Sequence, residues 1–502
     1  MTSFDGLGCK LTMVSKSIVG IDTIIDDKSN TFNTDLQEAI DTFDTYAPVS
    51  SWKSIRMLTI TAMQQNWKIQ QLDFSNAFVH APMNRNVYVS LPQLFGNING
   101  IPPKELCMKL NKSLYGLREA PKLWGDFLCL GLINAGFQPS PHDPGIYYGR
   151  GMAIAVYVDD VLFFGPDGDE MRQVVSDLKL DGFELKIEKE TDVASFDFLG
   201  IYIERKINKG GIDKIKMTQL GLIKKFLETI GMLDCTPKPV PATIKPLPTD
   251  SNGLHHHENW EYASAVGMLM YLAGNAYPEI QFAVHQCARF THAPRHSHSM
   301  AVKKIGHYLQ QVLLTNQGLT FQASTTPILD LYVDADYAGL WTYEHDQDPV
   351  CVRSRTGYVM TLSGCPIHWC SKLQTEIALS TLEAEYIALA QAMRELIPMR
   401  RKFDELCSFF NLQHEHVNEV KSTIFEDNNG CISCATAPKM SLRTRHIAVK
   451  YHFVRNFFSP DCNLKHPFQL EKIDTKIQLA DIFTKGLNEE TFVRLRTLLC
   501  GW

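Results

Sequence analysis

The sequence predicts a multidomain protein that combines α+β and α/β architecture. The chain has 502 residues, which exceeds the roughly 250 to 300 residues that one hydrophobic core usually serves. Strand-like and helical patterns alternate along most of it, which is typical of mixed folds. A stretch at 236–259 contains five prolines, which exclude a regular helix or a central strand there. We therefore expect an upstream and a downstream block on either side of this stretch.

The composition is that of a globular protein. Hydrophobic residues make up 45% and charged residues 21% of the chain, and no apolar run approaches the roughly 20 residues that cross a bilayer. The amino terminus lacks the charged start and apolar stretch of a secretory signal, and the 13 cysteines show no disulfide spacing. We expect an intracellular protein, cytoplasmic or nuclear, without a membrane partner.

The charge distribution argues weakly against a strongly basic nucleic-acid-binding protein, since the net charge is −6. Two local stretches are basic: 204–226, which has seven Lys or Arg against two acids, and 443–455, where aromatic residues interleave. Each is by default a solvated helix face. Each becomes a candidate phosphate-binding surface only if a nucleic-acid enzyme is argued from other residues.

The elements of the upstream block follow from hydrophobic periodicity. Four runs predict strands and two predict helices. The strand-like runs are KIQQLDF (68–74), VYVSL (87–91), AIAVYV (153–158) and VLFFG (161–165), and the helical ones are IRMLTITAMQQN (55–66) and KLWGDFLCLGLINAGF (122–137).

Beyond the proline-rich stretch, residues 262–314 predict two or three amphipathic helices that connect the two blocks. The downstream block then predicts three strands that could form a meander, a long helix, a further strand and more helices. The corresponding runs are ILDLYVDADYAG (328–339), GYVMTLSG (357–364), PIHWCSK (366–372), the helical stretch 380–406 and STIFEDNN (422–429).

The stretch AVYVDDVLFFG (155–165) places Asp159 and Asp160 inside an otherwise apolar run. Burying adjacent ionised carboxylates is costly unless a cation lies between them. The alternative is a hairpin turn that uses aspartate as a good turn residue. The usual Gly or Asn of a tight turn is absent and the flanks are apolar, so the cation hypothesis is favoured. Asp73, at the end of KIQQLDF, is a candidate third carboxylate for two Mg²⁺ ions.

Five segments in a fixed order extend this hypothesis to a family. They resemble the reverse transcriptase of copia-type long-terminal-repeat retrotransposon polyproteins. The segments are QLDFSNAFVHAPMNRNVYVSLP, LNKSLYGLREAPKLW, HDPGIYY, YVDDVLFFG and FDFLGIYIER.

The resemblance implies a role for each matching residue. Asp73 is the first aspartate of the palm, and Asp159 and Asp160 form its metal-binding hairpin, with two Mg²⁺ per site and Mn²⁺ as an alternative. Phe78 is the bulky side chain under the sugar, where it would clash with a 2′-hydroxyl.

The segment SLYGLREAPKLW (113–124), by the same resemblance, packs beside the template and the incoming base. It contributes Tyr115, Gly116 and Arg118. For Tyr115 and Trp124 a role in the hydrophobic core is an open alternative.

Four acids of the downstream block predict a second site. Asp334, Glu385, Asp427 and Asp481 follow the order strand, helix, strand and helix, which a ribonuclease H-like site uses to hold two metal ions on a phosphodiester. The resemblance to the copia-type polyprotein extends to these signatures.

Three choices arise within this second site. Ser380 to Glu383 fits a capping box, which would satisfy Glu383 and favours Glu385 as the metal ligand. Asp334 and Asp336 share one strand face, and the family pattern favours Asp334. His446 is a candidate for assisting departure of the leaving group or product, with His452 as its rival and a packing role open for both.

The resemblance divides the chain into four parts. Residues 1–40 are unmatched, with disorder and a misassigned start as alternatives; 41–235 form a reverse transcriptase palm with incomplete fingers. Residues 236–325 form the proline-rich linker and helical thumb or connection, and 326–502 form a ribonuclease H-like domain.

The function implied is an RNA-directed DNA polymerase with ribonuclease H activity. Its partners would be an RNA template, a DNA primer, an RNA–DNA hybrid and dNTPs. No KARLVAKG-type segment that would neutralise the triphosphate occurs, so we expect hybrid cleavage but weak or absent primer extension. The alternative is a truncated relic that binds nucleic acid or retains only the nuclease.

Overall fold

The structure is a computed structural model whose described residues form two compact units. The first comprises Met1–Ser51 and Lys68–Thr191, and the second comprises Trp52–Trp67 and Asp192–Trp502. For 3–6, 9–15, 24–25, 207–208 and 211–213 the backbone alone is described. The remaining described residues are 45–502 without 92–100, 103–104, 167, 188–194, 209–210, 323–325, 342, 344–348, 413–421, 438, 440–443, 445 and 459–467.

In its described part, the first unit contains two sheets, two α-helices and one 3₁₀-helix. Its strands are β1 (Ser3–Gly6), β2 (Cys9–Ser15), β3 (Ile24–Ile25), β4 (Lys68–Phe74), β5 (Pro82–Ser90), β6 (Leu106–Lys112), β7 (Gln138–Pro139), β8 (Ile146–Gly149), β9 (Met152–Tyr157), β10 (Asp160–Gly165) and β11 (Leu185–Ile187). Its helices are α1 (Ala120–Asn134), α2 (Gly168–Leu180) and the 3₁₀-helix Ala77–His80.

The two sheets of the first unit have the orders β1-β2-β6-β5-β3 and β11-β4-β10-β9-β8-β7. Strands β9 and β10 are buried on both faces, as their continuous apolar runs predict. Helix α1 begins with a proline in its first turn, where the absent N–H costs nothing. Its buried Trp124, Leu128 and Leu132 belong to the same hydrophobic core as residues of β4, β9 and β10.

The described part of the second unit contains two sheets and nine α-helices, of which the amino-terminal one is Trp52–Gln64. The strands are β12 (Ser195–Phe198), β13 (Ile201–Asn208), β14 (Gly211–Thr218), β15 (Leu319–Phe321), β16 (Leu329–Asp336), β17 (Arg355–Leu362), β18 (Cys365–Leu373), β19 (Thr423–Glu426) and β20 (Gln469–Lys472). The α-helices after the amino-terminal one are α3 (Leu220–Thr229), α4 (Tyr262–Asn275), α5 (Gln281–Ala288), α6 (His296–Thr315), α7 (Thr381–Phe409), α8 (Asn429–Thr436), α9 (Asp481–Thr484) and α10 (Glu489–Cys500). The 3₁₀-helices are Pro278–Ile280, Pro349–Val352, Val449–Phe457 and Thr475–Ile477.

The larger sheet of the second unit has the order β18-β17-β16-β19-β20. Its first three strands are antiparallel, which confirms the predicted meander, and β16, β19 and β20 are parallel neighbours. The smaller sheet has the order β12-β13-β14-β15. Helix α7 begins at Ser380, whose side chain accepts a hydrogen bond from the backbone N–H of Glu383, as a helix cap should.

A helix at Trp52–Gln64 belongs to the second unit, although its sequence lies upstream. Its Arg56 is buried and donates hydrogen bonds to the carbonyls of Asn275 at 2.8 Å and Ile367 at 3.1 Å. Burial lowers the pKa of Arg56 to about 9. Because these partners lie more than 200 residues downstream, periodicity predicts the helix but not the unit that it joins. The domain boundaries proposed from the sequence stay predictions.

The first 40 residues, where the sequence suggested disorder or a misassigned start, contain described strands. Strand β2 pairs with β6, and β3 pairs with β5. The other residues of this stretch lie outside the described part of the chain. Among all described helices, none combines the length and the apolar character needed to cross a membrane.

Candidate active sites

The two acidic segments of the first unit lie side by side on neighbouring strands. Strands β4 and β10 are antiparallel, and Asp73 is the register partner of Asp160. The backbone N–H of Phe74 donates to the carbonyl of Asp159 at 3.3 Å. Residues separated in sequence by the whole of 74–158 therefore lie at one end of the same sheet.

Asp159 lies in a two-residue hairpin turn between β9 and β10. The turn begins at Val158, which has a φ of 58°. This left-handed conformation is unfavourable for a β-branched residue and costs on the order of 1 to 3 kcal/mol. The indole Nε1–H of Trp124 donates to the carbonyl of Val158 at 2.8 Å, so a buried side chain of α1 holds the strained turn. The Asp pair therefore lies at a hairpin turn, as the alternative interpretation predicted. It also lies next to Asp73, as the cation hypothesis requires.

Phe78 and Tyr115 form an aromatic wall near these acids. Their ring centroids lie 4.7 Å apart. Phe78 is half-buried, and Tyr115 is 51% exposed, so the core alternative for Tyr115 is not what the structure shows. Partial burial, and next the charge of Asp159, raise the pKa of Tyr115.

The residues that follow Tyr115 differ in backbone conformation and in exposure to solvent. Gly116 has a φ of 96°, which favours glycine, and Arg118 is exposed. Trp124 is a buried core residue, which agrees with the alternative that places it in the hydrophobic core.

The acids of the second unit come closer together. Asp334, Glu385 and Asp427 each offer one ligand atom, and these atoms lie within 4.8 Å of one another. Within the described residues this is the one group of three or more His, Cys, Asp or Glu side chains that meets this distance. The acids Asp73, Asp159 and Asp160 are neighbours by register but do not form such a group.

Sheet topology explains the convergence. Asp334 lies near the end of β16, and Asp427 directly follows β19. Because β16 and β19 are parallel neighbours, their carboxyl ends meet at one edge of the sheet. Glu385 lies in the second turn of α7, a helix that packs on the same sheet.

Glu385 is buried among other acidic side chains. Burial, and next the negative charges of Asp334, Glu426 and Asp427, raise the pKa of Glu385 far above its usual range. Its Oε2 atom is buried without a hydrogen-bond partner among the described residues. A buried carboxylate oxygen seldom stays unpaired, and a divalent cation would relieve both the repulsion and the missing contact. The donor set, all carboxylate oxygens, suits Mg²⁺ or Mn²⁺.

Asp481 is near Asp334 but is held differently. It begins α9, and the Nζ of Lys485 lies 2.8 Å from its Oδ1 and 3.9 Å from the Oδ2 of Asp334. Burial, and next the charge of Asp334, raise the pKa of Asp481 to about 7. The hydroxyl of Thr484 donates to the Oδ2 of Asp334 at 2.5 Å. Three of the four predicted acids therefore cluster, and the fourth is paired with a lysine.

Two contacts bring α9 to the sheet. Gly357 is the register partner of Asp334, and a Cβ there would lie 2.5 Å from the Cγ2 of Thr484. The side-chain N–H of Gln478 donates to the carbonyl of Val333 at 2.9 Å.

The rival candidates are placed as follows. Glu383 accepts a hydrogen bond from the backbone N–H of Leu379 at 2.8 Å, so its carboxylate is used at the helix start and Glu385 reaches the cluster. His446 Nε2 lies 3.5 Å from Glu383 Oε2. His452 Nδ1 lies 3.1 Å from the hydroxyl of Tyr386, and the choice between the two histidines stays open.

Sequence reasoning missed several residues that shape the second site. They are Gly357, Glu426, Gln478, Thr484 and Lys485. Glu426 is fully buried, and burial raises its pKa to about 8. Lys485 is four residues after Asp481, which is the spacing of a helical ion pair, and this was the available signal. For Gly357 and Gln478 no local signal exists, because their contacts are made across the sheet.

Comparison with known proteins agrees with this geometry. Residues 31–244 match the family model described as reverse transcriptase (RNA-dependent DNA polymerase), and the match begins ten residues before residue 41, the start of the predicted palm. The chain therefore carries a reverse transcriptase domain. Over about 90% of its length it is similar to retrovirus-related Pol polyproteins from transposons.

The relatives are long polyproteins. The chain is 32% identical to the Pol polyprotein from transposon RE1 of Arabidopsis thaliana, with 90% of this chain and 29% of the relative covered. It is 31% identical to that from transposon TNT 1-94 of Nicotiana tabacum, with 92% and 33% covered. For transposon RE2 of Arabidopsis thaliana the identity is 31%, with 90% and 29% covered. The chain thus spans about a third of the length of these relatives.

Proposed function

We propose that the chain is an RNA-directed DNA polymerase with ribonuclease H activity, in which each reaction uses two divalent metal ions. The observation that carries the proposal is the convergence of Asp334, Glu385 and Asp427 within 4.8 Å, together with the unpartnered oxygen of Glu385. Such a cluster, with two buried carboxylates and a half-buried one, is unfavourable without a bound cation.

The nuclease half is supported by the sheet and the acids together. Three antiparallel strands followed by two parallel ones place Asp334 and Asp427 at one edge. Bound metal ions would stabilise the charge that develops on the phosphodiester and lower the pKa of the attacking water. The residues of this chain would hold the ions and orient the RNA strand of a hybrid.

The polymerase half is supported by the register of Asp73 with Asp160 and by the reverse transcriptase family match. Asp73, Asp159 and Asp160 are the proposed metal ligands. Phe78 and Tyr115 would contact the sugar of the incoming nucleotide, and Gly116 and Arg118 would lie beside the template.

A second candidate is a nuclease without polymerisation, or a relic that binds nucleic acid without catalysis. It is favoured by a difference between the two sites: the acids of the first unit do not form a group within 4.8 Å, whereas those of the second unit do, in the described part of the chain.

Cleavage of a labelled RNA–DNA hybrid by the full chain tests the nuclease half. We expect Mg²⁺-dependent cleavage that Asp427→Asn abolishes, because the neutral amide of Asn binds Mg²⁺ less strongly than the negatively charged carboxylate of Asp. Asp474→Asn is the matched control, since Asp474 is exposed and caps a nearby 3₁₀-helix. A hybrid left intact by the wild-type protein would refute this half of the proposal.

Primer extension on poly(rA) tests the polymerase half. We expect weak extension that is abolished by Asp159→Asn and kept by the exposed Asp181→Asn. Hybrid cleavage without any wild-type extension would favour the nuclease candidate. Strong extension would show that the absence of a KARLVAKG-type segment matters less than we argue.

A further inference from the structure

Lys485 interacts with two of the proposed metal-binding acids at once. Its Nζ atom lies 2.8 Å from Asp481 Oδ1 and 3.9 Å from Asp334 Oδ2. The side chains of Asp334 and Asp481 are 4% and 5% exposed. One ammonium group is thus placed where it neutralises a pair of buried carboxylates.

Asp334 belongs to two groups of charges. With Glu385 and Asp427 it forms the cluster of three acids. In the described part of the chain, Asp334 is the one acid of this cluster that lies near a lysine or arginine, namely Lys485. With Asp481 it forms the pair that Lys485 neutralises. Lys485 therefore neutralises Asp334 on the side of Asp481, whereas Glu385 and Asp427 have no lysine or arginine paired with them among the described residues.

We propose that Lys485 is a resident cation of the Asp334–Asp481 pair, so that the site binds one divalent ion strongly and a second one only when the lysine withdraws. The inference rests on the proposed nuclease function. The strong ion would bind Asp334, Glu385 and Asp427, and the second would bind between Asp334 and Asp481.

Lys485 is suited to such a movement. Its side chain is 40% exposed, and its flexible four-carbon stem allows the ammonium group to turn into solvent. The ammonium and a divalent ion repel each other at contact distance, so both cannot occupy the same space between the carboxylates. Loss of the lysine would leave two buried negative charges unpaired, which is destabilising.

Calorimetric titration of the full chain with Mg²⁺ tests the proposal without measuring activity. For the wild-type protein we expect one strong site and a second that is at least tenfold weaker. Lys485→Met should strengthen the second site at least tenfold, and Lys485→Arg, which keeps a cation, should not. Lys476→Met is the control, because Lys476 is exposed and lies outside these ion pairs.

Thermal unfolding in EDTA and in Mg²⁺ provides the second readout. In EDTA, Lys485→Met should have a lower unfolding temperature than the wild type. Addition of Mg²⁺ should raise the unfolding temperature of Lys485→Met more than that of the wild type. Unchanged second-site affinity in Lys485→Met, or a strengthened second site in Lys485→Arg, would overturn the role of Lys485 and leave the proposed function standing. Absence of any Mg²⁺ binding by the wild type would overturn the proposed metal site itself.

Discussion

Gly357 lies opposite Asp334 in the antiparallel pair of β16 and β17, and its missing side chain makes room for α9 beside that aspartate. A Cβ at this position would meet Thr484 Cγ2 at 2.5 Å and Phe483 Cβ at 2.9 Å. The approach of Asp481 and Lys485 to Asp334 therefore depends on a glycine in the neighbouring strand.

Substitution of this glycine should displace α9. We expect Gly357→Ala to lower the free energy of unfolding by about 1 to 3 kcal/mol, the usual cost of overpacking, and to reduce hybrid cleavage. Urea unfolding and the cleavage assay check the two effects. Gly221→Ala is the control, because a Cβ at Gly221 has no neighbour within 4 Å in the described structure. Equal stability of Gly357→Ala and wild type would contradict the packing argument.

The two glutamates at the start of α7 should behave differently. Glu385→Gln is expected to abolish Mg²⁺-dependent hybrid cleavage, because it removes a charge from the cluster of three acids. Glu383→Gln should keep cleavage and lower the free energy of unfolding by about 1 kcal/mol, since Glu383 serves the helix start. Parallel cleavage and unfolding measurements separate the two roles. The assignment is reversed if Glu383→Gln is the inactive variant.

Phe78 should determine the choice between deoxyribonucleotides and ribonucleotides. We expect Phe78→Val to raise the incorporation of rNTP relative to dNTP by about 10-fold or more, the usual size of a steric discrimination. Tyr115→Phe keeps an aromatic ring against Phe78 and is the control. Single-turnover extension with enzyme in excess gives the ratio. If Phe78→Val leaves the ratio of rNTP to dNTP incorporation unchanged, Phe78 does not contact the sugar as proposed.

Glu279 should make the second unit less stable as the pH rises. The carboxyl is fully buried and accepts a hydrogen bond from the hydroxyl of Tyr308 at 3.1 Å. Burial raises its pKa from 4.5 to about 7, so the folded state binds the proton more tightly than the unfolded state does. Stability is therefore lost as the pH rises from about 4.5 to about 7, by roughly 3 kcal/mol.

Unfolding free energies at pH 5 and pH 8 check this expectation. Glu279→Gln should remove most of the difference between the two pH values, because the amide does not titrate. The exposed Glu490→Gln should retain the wild-type difference. An unchanged pH dependence in Glu279→Gln would mean that other groups cause it.

Local patterns predicted several of the strands and helices, and the choice of catalytic acids stays a prediction. KIQQLDF forms β4 at the predicted bounds of 68–74, because alternation of apolar residues is a property of the strand alone. The preference for Glu385 over Glu383 followed from helix capping, which involves only neighbours in sequence. The left-handed backbone of Val158 escaped prediction, although a turn was an alternative, because this conformation is held by the distant Trp124.

The sequence by itself determined which segments become strands and helices, and which acids stand at their ends, since both depend on periodicity and on residues a few positions apart. Only the tertiary structure decided that Asp73 pairs in register with Asp160, that the helix at Trp52–Gln64 joins the second unit, and that Asp481 is held by Lys485. These outcomes depend on contacts between distant parts of the chain, where burial and charge, rather than local pattern, select the partner.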